Sequence, residues 1–324
     1  MSHSDRREFV RRLLGAGIGA AVAPLACSHG SKPASAPAPG PDPGAGEATP
    51  ETLVLRHFSG SSVELRPQWA QVISWKRATG DEMLFVDTST GAASDSAIAG
   101  GIPVSFHDAT AMDPATGHRV ARIVTWNLVE HGKSLSGAEY ALLRSADTLA
   151  ARAFMPQPFV ATLRVTLDEG LATALTLENT GKEPFSFQCA MHTCHRVGDV
   201  GRVTIDGLEG ATYRDLLARG RERRSRRAAL HIDGPLDRVY LRRPDRVAIH
   251  DEARDVTVLV DRAGFADLMV WTAPAPDAPA DTASAAETAP LQMLGVGPAQ
   301  VVPAVTIAPG QLWSGVQRLR IGET

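Results

Sequence analysis

The chain has 324 residues, with 36 acidic and 33 basic side chains and a net charge of −3, a balance that calls for neither a nucleic-acid nor an anionic-membrane partner. A hydrophobic fraction of 44% excludes wholesale disorder, collagen-like repeats and a multi-span membrane protein. Three cysteines, Cys27, Cys189 and Cys194, are too few for a disulfide scaffold or a four-thiolate zinc site.

Residues 1–27 read as an export address. Asp5-Arg6-Arg7-Glu8-Phe9-Val10-Arg11 has the twin-arginine pattern, and the uncharged Gly/Ala-rich stretch 13–26 is too short and too weakly apolar to span a bilayer but suits a signal peptide. The charges all precede the apolar run, so a basic amphipathic helix does not fit. Pro24-Leu25-Ala26-Cys27 resembles a lipoprotein box, in which Cys27 becomes the lipidated first residue; the alternative is cleavage before an ordinary residue. Residues 28–50 are Pro, Ala, Gly and Ser with almost no apolar side chain, a composition that cannot offset the entropy of ordering and forms a tether. The expected location is outside the cytoplasm, periplasmic or anchored to a membrane.

From residue 51 to 324 apolar residues recur with period two. Ala161-Thr162-Leu163-Arg164-Val165-Thr166-Leu167 alternates, Asp168-Glu169-Gly170 supplies a turn, and Leu171 to Leu177 resumes the alternation. This predicts a β-hairpin with Leu163, Val165, Leu167, Leu171, Leu175 and Leu177 facing inward. Further strands are predicted at 52–55, 69–75, 83–87, 185–192, 202–205, 238–241, 256–261, 268–271 and 312–319. Strands divided by turns, without helices between them, predict an all-β antiparallel sandwich or barrel in one large domain.

Two segments stand apart. Residues 219–227, Arg-Gly-Arg-Glu-Arg-Arg-Ser-Arg-Arg, are expected to be a solvated basic loop; no aromatic residue is interleaved for base stacking, so nucleic acid is not an expected partner. Residues 274–290, rich in Ala, Pro, Asp and Thr, are expected to be a mobile surface loop. On a strand, His192 and Cys194 project to one face and Cys189, Met191, Thr193 and His195 to the other. That alternation argues against a metal site at His192, Cys194 and His195, and against a Cys189–Cys194 disulfide. No metal or cofactor is expected.

Several segments in register resemble the glucose-6-phosphate 1-epimerases (hexose-6-phosphate mutarotases) of the aldose 1-epimerase family. They are Val72-Ile73-Ser74-Trp75-Lys76, Glu82-Met83-Leu84-Phe85-Val86, Gly100-Gly101-Ile102-Pro103-Val104, His118-Arg119-Val120-Ala121-Arg122, Ala190-Met191-His192-Thr193, Asp237-Arg238-Val239-Tyr240, Asp267 with Trp271, and Ala308-Pro309-Gly310 with Trp313. The resemblance implies the large β-sandwich of the galactose mutarotase-like fold and a monosaccharide or sugar-containing ligand; a monomer is expected. It also implies the chemistry of anomer exchange, in which a base takes the proton of the anomeric hydroxyl while an acid protonates the ring oxygen, so that the ring opens and recloses on the other face. By this resemblance His192 is the acid, and His118, Arg122, Asp237 and Asp267 contribute to binding.

Two departures bear on activity. Gly297 stands where the family carries its catalytic Glu, and loss of a general base removes about 10²–10⁴-fold in rate. Substitutes are Asp267, Glu287 or water. Ala99 replaces the Arg that precedes Gly-Gly-Ile-Pro in the family, which weakens recognition of a sugar phosphate. The expected protein is thus an exported carbohydrate binder with impaired catalysis; the alternatives are an active epimerase with a substitute base and a structural surface lipoprotein.

Overall fold

In the computed structural model the described residues are 50–87, 99–109, 124–149, 151–153, 155–242, 245–272 and 291–322. The export segment with Cys27, residues 28–49 of the expected tether, His118, Arg122, Glu287 and residues 274–290 fall outside them.

Period-two alternation becomes β-structure along the chain. The first strands are β1 (Leu53–Arg56), β2 (Ser62–Arg66), β3 (Gln71–Lys76), β4 (Val104–Asp108), β5 (Asn127–Lys133) and β6 (Glu139–Ala146). The long central ones are β7 (Phe159–Leu167), β8 (Leu171–Asn179) and β9 (Phe185–Met191), followed by β10 (Cys194–Arg196), β11 (Val203–Asp206), β12 (Thr212–Asp215), β13 (Arg221–Arg224) and β14 (Ala229–His231). The last are β15 (Asp237–Leu241), β16 (Arg246–Asp251), β17 (Val256–Ala263), β18 (Asp267–Thr272), β19 (Met293–Ile307) and β20 (Leu312–Ile321).

They pair into a small sheet β1-β2-β3 and two large antiparallel sheets. One runs β13-β12-β15-β18-β19-β9-β4, with β10 also on β19; the other runs β14-β11-β16-β17-β20-β8-β7-β6-β5. The β7–β8 hairpin forms as predicted, with Leu167 paired to Leu171, and Asp168 Oδ1 accepts the Gly170 N–H at 2.9 Å to close the turn. All six inward residues are at most 1% exposed; each such burial is worth about 1.5–3 kcal/mol.

The two large sheets face each other through aromatic and polar contacts. Phe106 of β4 meets Phe159 of β7 edge to face at 5.5 Å, and Phe187 of β9 meets Trp313 of β20 at 5.4 Å. Thr193 Oγ1 donates to Gln317 Oε1 of β20 at 2.8 Å, a fully buried bond. This is the sandwich expected from alternation.

Three predicted elements differ. Residues 83–87 form isolated bridges (Leu84 to His195, Val86 to Gly100) rather than a strand, because their hydrogen bonds go to several different segments. The 185–192 strand stops at Met191: the His192 N–H turns to the Pro103 carbonyl and the Thr193 N–H to that of Met191. The basic run is no loop. Its Arg221–Arg224 portion pairs with β12 as an edge strand, all four residues exposed, and a charged edge of this kind opposes pairing with other chains.

Candidate functional site

A cleft of about 360 Å³ opens on the β15-β18-β19 sheet, lined by Pro103, Val104, Ser105, His192, Cys194, Asp237, Met269 and Trp271. Its volume lies within the range of small-ligand sites.

The Gly-Gly-Ile-Pro segment anchors it. A Cβ on Gly100 would lie 2.3 Å from the Phe85 carbonyl oxygen, and one on Gly101, whose φ is +67°, 2.2 Å from that of Val72. Only glycine lets the chain press this close. From that position Gly101 O accepts the Cys194 N–H and Pro103 O accepts the His192 N–H, both at 2.9 Å. The backbone on either side of Thr193 is therefore held by one short segment, and the His192 imidazole is aimed by it. Its Nε2 lies 2.8 Å from Ser105 Oγ, and the ring stands edge to face with Trp271, centroids 5.7 Å apart.

A cross-strand row builds the floor. Asp237 pairs with Trp271, Trp271 with Gly295, and Gly295 with Cys194, and directly paired residues share a face. A Cβ on Gly295 would sit 2.0–2.5 Å from three atoms of the Trp271 indole, so the indole lies flat against the bare backbone there. Gly295→Ala should lift it, with a cost of about 1–3 kcal/mol and loss of the His192 contact. Urea unfolding and Trp fluorescence would check this; an unchanged midpoint and spectrum would contradict the packing.

Burial, and secondarily the charge of Asp215, raise the Asp237 carboxyl to about 6. Asp215 ends β12 and pairs with Arg238, the residue after Asp237, near enough for its negative charge to act on the Asp237 carboxyl. Burial pushes the Cys194 thiol up to about 12, so it stays protonated and is no nucleophile. Cys189 and Cys194 are free thiols.

His195 points away from the cleft, as the alternation implies. Its Nε2–H donates to the Val296 carbonyl at 3.0 Å, and burial lowers the ring to about 4, leaving it neutral. Among the described residues no cluster of three or more His, Cys, Asp or Glu is placed to hold a metal ion.

Of the residues named from sequence, the cleft brings together His192 and Asp237. Asp267 lies elsewhere on β18: it is fully buried, and its carboxylate accepts the N–H groups of Arg242, Val301 and Val302 at 3.2, 3.0 and 2.7 Å. Gly297 pairs with Met269 and so shares the cleft-facing side of β19. A Cβ there would lie 1.9 Å from the Met191 carbonyl oxygen and 3.0 Å from the Thr193 nitrogen. Backbone therefore fills the space a side chain at 297 would need. Ser105, Trp271 and Gly295 join the site through strand register; Trp271 belongs to a segment that carries the family resemblance, but no local motif marks Ser105 or Gly295.

Comparison with known proteins agrees with this architecture. A family profile described as aldose 1-epimerase matches residues 51–320. A protein of Cenchrus ciliaris named "Putative glucose-6-phosphate 1-epimerase" is 30% identical over 280 residues, covering 82% of this chain and 83% of that one. An Escherichia coli K12 protein of the same name is 29% identical over 208 residues, 63% of this chain and 68% of its own. In fold, the chain is similar to a Salmonella typhimurium crystal structure described as a "putative mutarotase", with a TM-score of 0.74 at 20% identity, covering 84% and 90% of the two chains. A galactose mutarotase-like protein from Clostridium acetobutylicum aligns with a TM-score of 0.61 at 12% identity over 84% and 95%.

Proposed function

We propose, starting from the fact that the chain belongs to the aldose 1-epimerase family, that it is an exported carbohydrate-binding protein whose cleft takes the ring of a neutral aldose, with turnover by the family's usual acid–base pair impaired. The observation that carries this reading is the crowding at Gly297, where the Met191 carbonyl leaves no room for the carboxylate side chain. Half of the pair is then missing. The other half would be His192, whose imidazole lines the cleft beside Ser105 and would serve as the acid for the ring oxygen.

A neutral sugar fits better than a phosphorylated one. No Lys or Arg is among the described residues lining the cleft, and Ala99 replaces the guanidinium before the Gly-Gly-Ile-Pro segment; a phosphate dianion is ordinarily held by charge-assisted bonds. The indole of Trp271 beside a carboxyl and an imidazole suits a ring with one apolar face and a rim of hydroxyls. Export rests on the Arg6-Arg7 pattern, and anchorage on Cys27 followed by the 28–50 tether.

Saturation-transfer NMR of the purified protein against glucose, galactose and glucose 6-phosphate is the test, combined with anomer exchange of each. We expect contact with the free sugars, weaker contact with the phosphate ester, and exchange well below that of a relative carrying the family's Glu. Rapid exchange of glucose 6-phosphate, lost on His192→Ala, would refute the reading. No contact with any sugar would favour a purely structural role.

A further inference from the structure

We infer that Asp237 is the proton acceptor for the anomer exchange this cleft retains, standing in for the carboxylate that position 297 cannot carry. The inference rests on the proposal that the cleft holds an aldose. It comes from three features of the geometry. Asp237 and His192 line the same cleft. They flank one indole, Asp237 as the direct cross-strand partner of Trp271 and His192 edge to face on its ring. Asp267, the other acid suggested in the sequence and described here, is occupied with three backbone N–H groups.

A sugar ring lying over Trp271 would have a carboxylate on one flank and an imidazole on the other. Anomer exchange needs that arrangement and no further group. The ionised Asp237 takes the proton of the anomeric hydroxyl, whose O–H electron pair becomes the second bond of the new C1 carbonyl. The C1–ring-oxygen bond breaks, and the ring oxygen takes a proton from the protonated His192. After rotation about C1–C2 the ring hydroxyl returns its proton to His192 and attacks the other face, while the nascent anomeric oxygen recovers its proton from Asp237. Atoms, electrons and protons balance over the cycle.

Burial and the adjoining Asp215 supply the tuning, since a base works best with its pKa near the working pH. The titratable groups that bear on the Asp237 carboxyl are Asp215 from β12 and, lining the same cleft, His192 and Cys194; Arg238 projects to the other face of β15, where its guanidinium lies 4.5 Å over the Tyr213 ring. Asp237 must be ionised to accept a proton, so exchange should rise with pH through about 6.

The experiment follows anomer exchange of α-glucose by polarimetry in the wild-type protein, Asp237→Asn and Asp215→Asn, each also examined for sugar contact by saturation-transfer NMR. Wild-type exchange above the spontaneous rate is expected, with an acid limb near pH 6. Asp237→Asn should fall by about 10²-fold or to the spontaneous rate while still contacting glucose. Asp215→Asn, which removes a neighbouring negative charge, should move the acid limb to lower pH, a shift that a merely structural role for the pair would not produce. Asp237→Asn exchanging as fast as wild type would overturn the inference. So would wild-type exchange no faster than spontaneous, although sugar contact would then leave the binding proposal standing; absence of contact in all three proteins would defeat both.

Discussion

Gly297→Glu is expected to unfold the protein at markedly lower urea without creating an epimerase. The added Cβ would sit 1.9 Å from the Met191 carbonyl oxygen, and that carbonyl has little freedom to retreat. It accepts the Thr193 N–H at 3.0 Å, His192 next to it is tied to Pro103, and Thr193 is bonded to Val296 through its carbonyl and to Gln317 through its hydroxyl. Overpacking alone costs about 1–3 kcal/mol, and a carboxylate forced into a crowded, largely buried strand adds a desolvation cost. We expect a total of about 4 kcal/mol, in the range that marks a specific structural conflict. Gly297→Ala carries the same Cβ without the charge and should lose about 2 kcal/mol. A glutamate variant as stable as wild type and faster in anomer exchange would show that the backbone can reopen the position.

Asp267→Ala should also be strongly destabilising while leaving sugar contact in the folded protein intact. The carboxylate is fully buried and ties three backbone N–H groups. Two of these lie at Val301 and Val302, where the pairing of β19 with β9 slips between Gln300 and Val305; the third is at Arg242, held at a φ of +54°. A bulge and a left-handed non-glycine residue are both poorly held by the backbone alone. Hydrogen bonds to a charged acceptor contribute about 1.5–3 kcal/mol each; with Val301 and Val302 only partly buried, we expect a loss of about 3 kcal/mol. Asp267→Asn should recover part of it, since its amide oxygen can still accept from Val301 and Val302 while its NH2 faces the Arg242 N–H that Oδ1 accepted. Thermal unfolding together with saturation-transfer NMR separates the two roles: loss of sugar contact at unchanged stability would return Asp267 to the cleft.

Asp237 behaves in the opposite sense. Its folded-state pKa of about 6 lies above the ordinary 3.8, so the folded protein holds a proton there that the unfolded chain releases at lower pH. Stability linked to this group is therefore complete below about pH 4 and declines as pH rises to about 6. Asp237→Asn should raise the melting temperature at pH 7 and leave it nearly unchanged at pH 4.

Much of the architecture was legible in the residues themselves. The alternation of residues 161–177 specified a hairpin and its inward face, and the same period placed β1, β3, β9, β11, β15, β17, β18 and β20 to within a residue or two, while β2, β4 to β6, β10, β12 to β14, β16 and β19 lie outside the predicted stretches. The separation of His192 and Cys194 from Met191, Thr193 and His195 also followed from parity, even though the strand breaks at His192. What the alternation could not show was that residues 83–87 bond to several different segments, or that the arginine run becomes an edge strand, because a partner strand decides both.

The candidate site divides along the same line. Local periodicity and motif resemblance, which belong to a single stretch of chain, determined the fold class and the family and directed attention to His192 and position 297. Register and close approach belong to pairs of stretches far apart in sequence, and only the folded sheet decided them. They put Asp237 beside Trp271, laid the indole on Gly295 and drove the Met191 carbonyl against Gly297. They also gave Asp267 to the backbone. A hydrogen-bonded ladder sets the position of every side chain through its partner strand, and no inspection of one strand reveals which partner, or which row, it will meet.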